Sequence, residues 1–275
     1  MVVPFVSCEV SGDFGGGGQV EPPNCARVEG THGFGYQYVM DLFGKALRAF
    51  HHGKSDAEMI ITRDDGWQDA HSPGLYFAPE PFDFERPALA HVQGPILDVR
   101  CGAGRHVAWL QAQGRRAFGV DASQGAVEVC QARGLTDVYR ADVMRGAIPD
   151  LPAAPETITL FGNNVGIGGT CAGSVRLLRK LHTICAQGGR LILTGLDVRK
   201  TENPVHLEYH AANLAKGRRR GEITIRLAYD GEADAPFDWF HPEPYEVEEI
   251  AAQSGWTITR LEPRGAFFWA VLKRD

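Results

Sequence analysis

The chemistry of this chain is most legible in eleven consecutive residues, Ile96-Leu97-Asp98-Val99-Arg100-Cys101-Gly102-Ala103-Gly104-Arg105-His106. An apolar run enters a glycine loop there and leaves as a helix. Glycines at 102 and 104 allow a ligand to approach the backbone closely, and the free amides at a helix start favour a negative group. A nucleotide-like ligand is the expected occupant, with Arg105 placed to meet an anionic end. The dinucleotide pattern wants a third glycine three residues after the second. Val107 stands at that position instead.

Three further stretches repeat the theme. Val120-Asp121-Ala122-Ser123 puts a carboxylate at the tip of a second strand, where it can accept hydrogen bonds from ribose hydroxyls, and Ser123 reads as the cap of the next helix. A third strand is followed by Asp142-Val143, whose carboxylate or backbone could meet an adenine amino group. The fourth ends in Phe161-Gly162-Asn163-Asn164, and in open α/β sheets ligands bind beyond such strand ends.

Taken in this order, the segment from Ile96 to about Gly195 resembles the class I S-adenosylmethionine (SAM)-dependent methyltransferases. Asp98, Gly102 and Gly104 match that family's acid-x-Gly-x-Gly-x-Gly loop, and Arg100 stands where its first glycine is usual. The run Ala186 to Leu193 resembles the family's turn into the fifth strand. The resemblance implies SAM as methyl donor, with S-adenosylhomocysteine as the product. By the resemblance, Gly102, Ala103 and Gly104 would line the methionine part, Asp121 the ribose, and Asp142 with Val143 the adenine. Asp98, Val99, Arg105, Ala122, Ser123 and Asn163 complete the expected cofactor-binding set. Nucleic-acid amino-methyltransferases carry an Asn/Asp-Pro-Pro-aromatic motif after the fourth strand, which this chain lacks, so the expected acceptor is an O or N of a small molecule. Two other readings share the loop: a nicotinamide-dependent oxidoreductase, and a SAM-binding module that transfers no methyl group.

The acceptor side is sought after the fifth strand, where the resemblance places insertions. His206, Tyr209, His210 and Asn213 share one face of an expected helix. A hydroxyl or protonated amine acceptor needs a base, for which a histidine near neutral pKa is suited. His210 and Tyr209 are therefore the catalytic candidates, and Asn164, Asn213, Trp239 and Tyr76 the acceptor-contacting ones. No metal site is expected, since no partner stands at metal-ligand spacing to this group.

These residues need a scaffold, and the pattern supplies one. From residue 95, short β-branched runs alternate with helical stretches, the signature of a parallel sheet with crossover helices. The expected strands are 95–99, 116–120, 136–140, 157–161 and 190–194, with helices near 104–113, 123–133 and 172–186. A helix at 203–216, a hairpin of 223–229 with 237–240, a helix at 243–254 and strands 256–261 and 266–273 follow. The last two strands must be antiparallel, because their connection is too short for a crossover. The expected fold is α/β: a doubly wound, seven-stranded, mostly parallel Rossmann-like sheet whose last strand is antiparallel. Residues 1–35, with the Gly15 to Gly18 run, read as a flexible leader. Residues 36–94 read as an N-terminal helical cap with a first helix at 37–51, and 95–275 as the SAM-binding domain. Within that domain, 200–242 forms an insertion over the acceptor site.

Composition limits the alternatives. The 275 residues are 44% hydrophobic and carry a net charge of -6, with Arg218-Arg219-Arg220 the single dense basic run. Neutralising many phosphates needs a broad basic surface, so no nucleic-acid partner is expected. The cysteines at 8, 25, 101, 130, 171 and 185 show no Cys-x-x-Cys spacing. With no apolar run of membrane length and no signal-peptide pattern, the expected location is the cytoplasm and no membrane partner is expected.

Overall fold

The structure, a computed structural model, describes residues 41–275; the expected leader and the first residues of the expected helix lie outside the described residues. Helix α1 (Leu42–His51) starts at Asp41, whose carboxylate accepts from the Gly44 amide at 3.0 Å, and buries Leu42, Phe43, Ala46 and Leu47 on one face. Strand β1 (Met59–Arg63) alternates buried and half-buried residues and turns through Asp64-Asp65-Gly66 into β2 (Gln68–His71). A 3-10 turn (Pro73–Phe77) and the short α2 (Arg86–Leu89) complete this region. The region expected as an N-terminal helical cap thus also contributes two strands. What holds β1 in place is its antiparallel pairing with a strand more than 150 residues later, Ile60 opposite Ala228 and Arg63 opposite Ile225. No local pattern announces such a partner.

The main body follows as β3 (Ile96–Val99), α3 (Arg105–Ala112), β4 (Ala117–Asp121), α4 (Gln124–Ala132), β5 (Val138–Arg140), β6 (Thr157–Leu160), α5 (Cys171–Ile184) and β7 (Arg190–Leu196). Then come α6 (Pro204–Ala215), β8 (Glu222–Tyr229), β9 (Glu232–Ala233), β10 (Phe237–Phe240), α7 (Pro244–Ser254), β11 (Trp256–Arg264) and β12 (Phe267–Arg274). Seven strands form one sheet in the order β11-β12-β7-β6-β3-β4-β5. Strands β7, β6, β3, β4 and β5 run parallel, while β12 is antiparallel to both its neighbours. Strands β3, β4 and β6 are buried along their whole length, as central strands with both faces covered must be.

From β3 the chain moves outward one way to β4 and β5, and from β6 the other way to β7. That reversal makes the gap beyond the ends of β3 and β6 the switch point, the place where open α/β sheets take ligands. Asn164, just past β6, bridges it by donating to the carbonyls of Val99 and Arg100, each at 3.2 Å.

A second, antiparallel sheet in the order β10-β8-β1-β2 is assembled from the N-terminal segment and the late hairpin. Its inward side chains, Met59, Ile61, Ile223, Ile225 and Leu227, pack on Leu42, Ala46 and Leu47 of α1. Helix α1 in turn meets α4 so closely that a Cβ on Gly44 would lie 2.7 Å from the Gly125 Cα. The Asp41 carboxylate spans the same junction, accepting from the Ser123 hydroxyl at 2.9 Å and the Gly125 amide at 2.8 Å. The antiparallel sheet is thus anchored over the strand ends of the parallel one.

Candidate functional site

Between the two sheets lies a cleft of about 680 Å³. One wall is the carboxyl edge of the parallel sheet: Arg100 after β3, Ala122 and Ser123 after β4, Asp142 and Val143 after β5. The opposite wall is Leu227 of β8 with the 234–239 stretch, including Asp234 and Trp239, and the start of α1 closes one side. The loop Ile167 to Thr170, after β6, forms the floor. The structure therefore brings together Ala122, Ser123, Asp142, Val143 and Trp239 from the sequence-derived candidates, and adds Arg100.

The glycine loop itself is packed rather than open, which corrects the expectation of bare backbone. Gly102 and Gly104 adopt φ of 57° and 79°, left-handed values that other residues enter at a cost. A Cβ on Gly104 would lie 2.4 Å from Leu135, and one on Gly102 3.1 Å from the Tyr76 ring. Asp98, Val99, Ala103 and Asp121 are at most 1% exposed. The Asp121 carboxylate faces the loop, accepting from the Gly102 amide and the Ser123 amide, both at 2.9 Å. A carboxylate offers about four acceptor positions, so two remain. Asp142 is similarly engaged, by the amides of Met144 at 2.9 Å and Arg145 at 3.2 Å, but stays on the cleft wall.

Arg105 leaves the ligand-binding set altogether. Its guanidinium makes a two-point contact with Glu85, at 2.7 and 2.8 Å, and lies over the Phe82 ring. Glu85 also accepts from the Phe82 amide at 2.8 Å and sits 3.2 Å from His106 Nε2. On its other side His106 Nδ1 is 3.7 Å from Asp98, which accepts from the Thr159 hydroxyl at 2.7 Å. Burial works to raise the Glu85 carboxyl, yet His106 and Arg105 outweigh it and hold the group down at about 2. Burial works likewise to lower His106, and Glu85 more than offsets it, so the imidazole is raised above its ordinary value. This chain of matched charges fastens the α2 segment to β3 and α3.

The expected catalytic helix α6 uses its polar face for docking. Tyr209 donates to Asp64 at 2.6 Å under the Arg63 guanidinium; burial and that bond push its hydroxyl up to about 12. Asn213 donates to the carbonyls of Glu222 at 2.6 Å and Arg220 at 3.2 Å, which seats α6 on β8. His206 Nδ1 lies 3.1 Å from Arg63. His210 is buried with Nδ1 unpartnered; burial, then Arg220 and His206, lower it to about 4. It is not among the residues of the cleft wall.

Asn163, in a left-handed conformation, lies 2.9 Å from His241 Nδ1 and donates to the Phe240 carbonyl at 3.3 Å, joining β6 to β10. His241 is lowered to about 3, by burial and then by His210. Tyr76 packs edge-on against Phe43 as a cover on the loop. Sequence reasoning missed Asp41, Asp234, and the arginines 140, 145 and 176 of the cleft wall. Asp41 carried one usable signal, an acid immediately before an apolar helical run. Asp234 is half-buried and its carboxyl is raised to about 6 by burial and by Asp41.

Comparison with known proteins bears on what this cleft holds. Residues 96–189 match a family described as a methyltransferase domain. A SAM-dependent methyltransferase from Bacteroides fragilis, solved in complex with S-adenosyl-L-homocysteine, is similar at 26% identity with a TM-score of 0.71, over 84% of this chain and 94% of that one. A methyltransferase of Methanosarcina mazei, described as SAM-dependent, aligns at 15% identity and TM-score 0.55, over 70% of this chain and 99% of its own. The CcbJ methyltransferase of Streptomyces caelestis aligns at 12% and 0.54, over 73% and 92%. The latter two likenesses concern the fold alone. No curated protein matches the sequence.

Proposed function

We propose that the chain is a class I SAM-dependent methyltransferase, with SAM as its cofactor, and that it methylates an oxygen or nitrogen of a small molecule held in the cleft between its two sheets. The observation that carries the reading is the size and place of the cleft. Small-molecule sites typically span about 300 to 1,000 Å³ and sit at such switch points. A cleft of about 680 Å³, roofed by the antiparallel sheet, suits a nucleoside with an amino-acid tail plus a compact acceptor.

Residues present on the wall fit the donor. Asp142 and Val143 would hold the adenine edge and Ala122 and Ser123 the ribose, with Asp121 fixing the loop and the helix start behind them. Bound SAM supplies a methyl carbon made electrophilic by its sulfonium. The protein contributes alignment: the Ile167 to Thr170 floor and the Trp239 ring would hold the acceptor in line with that carbon. For the proton of a hydroxyl or ammonium acceptor, Asp234 is a better candidate than His210 or Tyr209. It stands on the wall, and with its carboxyl at about 6 it is ionised and able to accept at neutral pH.

The test is a screen for S-adenosylhomocysteine release with phenols, carboxylic acids and amines in one arm and tRNA, duplex DNA and protein extract in the other. Turnover in the first arm alone is expected. Turnover confined to the macromolecules would overturn the small-molecule reading.

A further inference from the structure

Arg100 occupies a backbone position that suits glycine. Its φ is 65°, in the left-handed region that a side chain with a Cβ enters at a cost. Both neighbours hold it there: its amide donates to the Val120 carbonyl at 2.8 Å, and its carbonyl accepts from Asn164 at 3.2 Å. Strain retained in this way, at the switch point, marks a ligand site more often than a structural one.

The side chain points the same way. The deeply buried guanidiniums of Arg63 and Arg105 each have a carboxylate within hydrogen-bond distance, Asp65 at 2.6 Å and Glu85 at 2.7 Å. Arg100 forms no salt bridge among the described residues, and its Nε is buried without a partner. The nearby acids do not serve it. The hydrogen bonds of Asp41 go to Gly44, Ser123 and Gly125, and those of Asp142 to the amides of Met144 and Arg145. Asp234 responds to burial and to Asp41, with no guanidinium offsetting either. A buried donor left unmet is costly until an acceptor completes it, and the planar fork of a guanidinium fits a carboxylate at two points.

We propose that Arg100 binds a carboxylate brought into the cleft by a ligand, and that this gain maintains an arginine where glycine would be unstrained. The inference rests on the methyltransferase reading. Two ligands could bring the group: the amino-acid tail of the cofactor, or an acidic acceptor.

Calorimetry on the wild type, Arg100→Gly and Arg100→Lys separates these sources. The probes are S-adenosylhomocysteine, 5′-methylthioadenosine, which lacks the amino-acid tail, and benzoate added to the S-adenosylhomocysteine-loaded protein. If the tail is the ligand, Arg100→Gly weakens S-adenosylhomocysteine at least tenfold and leaves 5′-methylthioadenosine within twofold, with Arg100→Lys between. If an acceptor is the ligand, both nucleosides hold and benzoate binding is lost in Arg100→Gly. Removing the strain should also raise the melting temperature of Arg100→Gly by about 2 to 4 °C, so lost affinity could not be ascribed to unfolding. Affinities for S-adenosylhomocysteine and benzoate that are the same in wild type and Arg100→Gly would overturn the proposal. A wild type that binds neither nucleoside would instead contradict the methyltransferase reading.

Discussion

Two polar regions flank the same strand and treat charge in opposite ways. Behind β3, Glu85, Arg105, His106, Asp98 and Thr159 form a buried chain in which each carboxylate lies close to a cation or accepts from a hydroxyl. In front of β3, beyond its carboxyl end, Arg100 and Asp234 face a cleft and form no salt bridge among the described residues. Buried charge without a partner destabilises a fold, so natural chains retain it chiefly where a ligand completes it. The matched region therefore reads as architecture and the unmatched one as the site.

The comparison breaks first, and with the largest effect, at the matched end. Arg105→Ala leaves buried Glu85 with His106 as its one remaining cationic partner among the described residues and should cost about 3 kcal/mol. Chemical denaturation would show this as an early midpoint, while S-adenosylhomocysteine affinity per folded molecule stays near wild type. A stable variant with lost affinity would reverse the roles assigned to the two regions.

Asp121 stands between them, matched to backbone on one side and next to the cleft on the other. Asp121→Ala removes two charge-assisted bonds, each worth about 1.5 to 3 kcal/mol before discounting. The direct loss falls on the loop, as a drop in melting temperature, and S-adenosylhomocysteine binding should weaken tenfold or more in calorimetry because that loop is no longer held. Unchanged affinity would remove Asp121 from the site.

Smaller effects follow from pH. His210 and His241 are held neutral, with folded-state values of about 4 and 3. These lie below the ordinary histidine value, so the stability they support is full above about pH 6.5 and is lost as pH falls toward 4 and 3. His210→Gln should flatten the fall in melting temperature between pH 7.5 and 4.5; an unaltered slope would contradict its burial. Asp234 has the opposite sign. Its folded value of about 6 lies above that of an unfolded aspartate, so its ionisation opposes folding as pH rises through 6. Asp234→Asn should be slightly more stable than wild type at pH 8 and equal to it at pH 4, yet lower in turnover. Full turnover would exclude it as the base.

The parallel sheet was readable from the sequence because its information is local. Each buried run, its glycine or serine punctuation and the following helix lie within about thirty residues, and β3 to β7 appear within a few residues of where the pattern places them. The antiparallel sheet was half readable. The hairpin of β8 and β10 shows alternation and an Asp230-Gly231 turn, but its partner β1 is distant in sequence, and 59–71 was absorbed into a helical cap. Site residues divide likewise. Ala122, Ser123, Asp142 and Val143 follow from their positions at strand ends, whereas Asp234 reaches the cleft only through the second sheet. The α6 residues misled for a physical reason: a polar helical stripe looks the same whether it meets a substrate or, as for Tyr209 and Asn213, buried partners in the fold.

The account stands on one placement, and a crystal structure with S-adenosylhomocysteine at saturating concentration tests it most directly. The adenine should lie against Asp142 and Val143, the ribose against Ala122 and Ser123, and the amino-acid tail should run toward Arg100. A ligand seated outside the cleft, or a cleft left empty under those conditions, would contradict it.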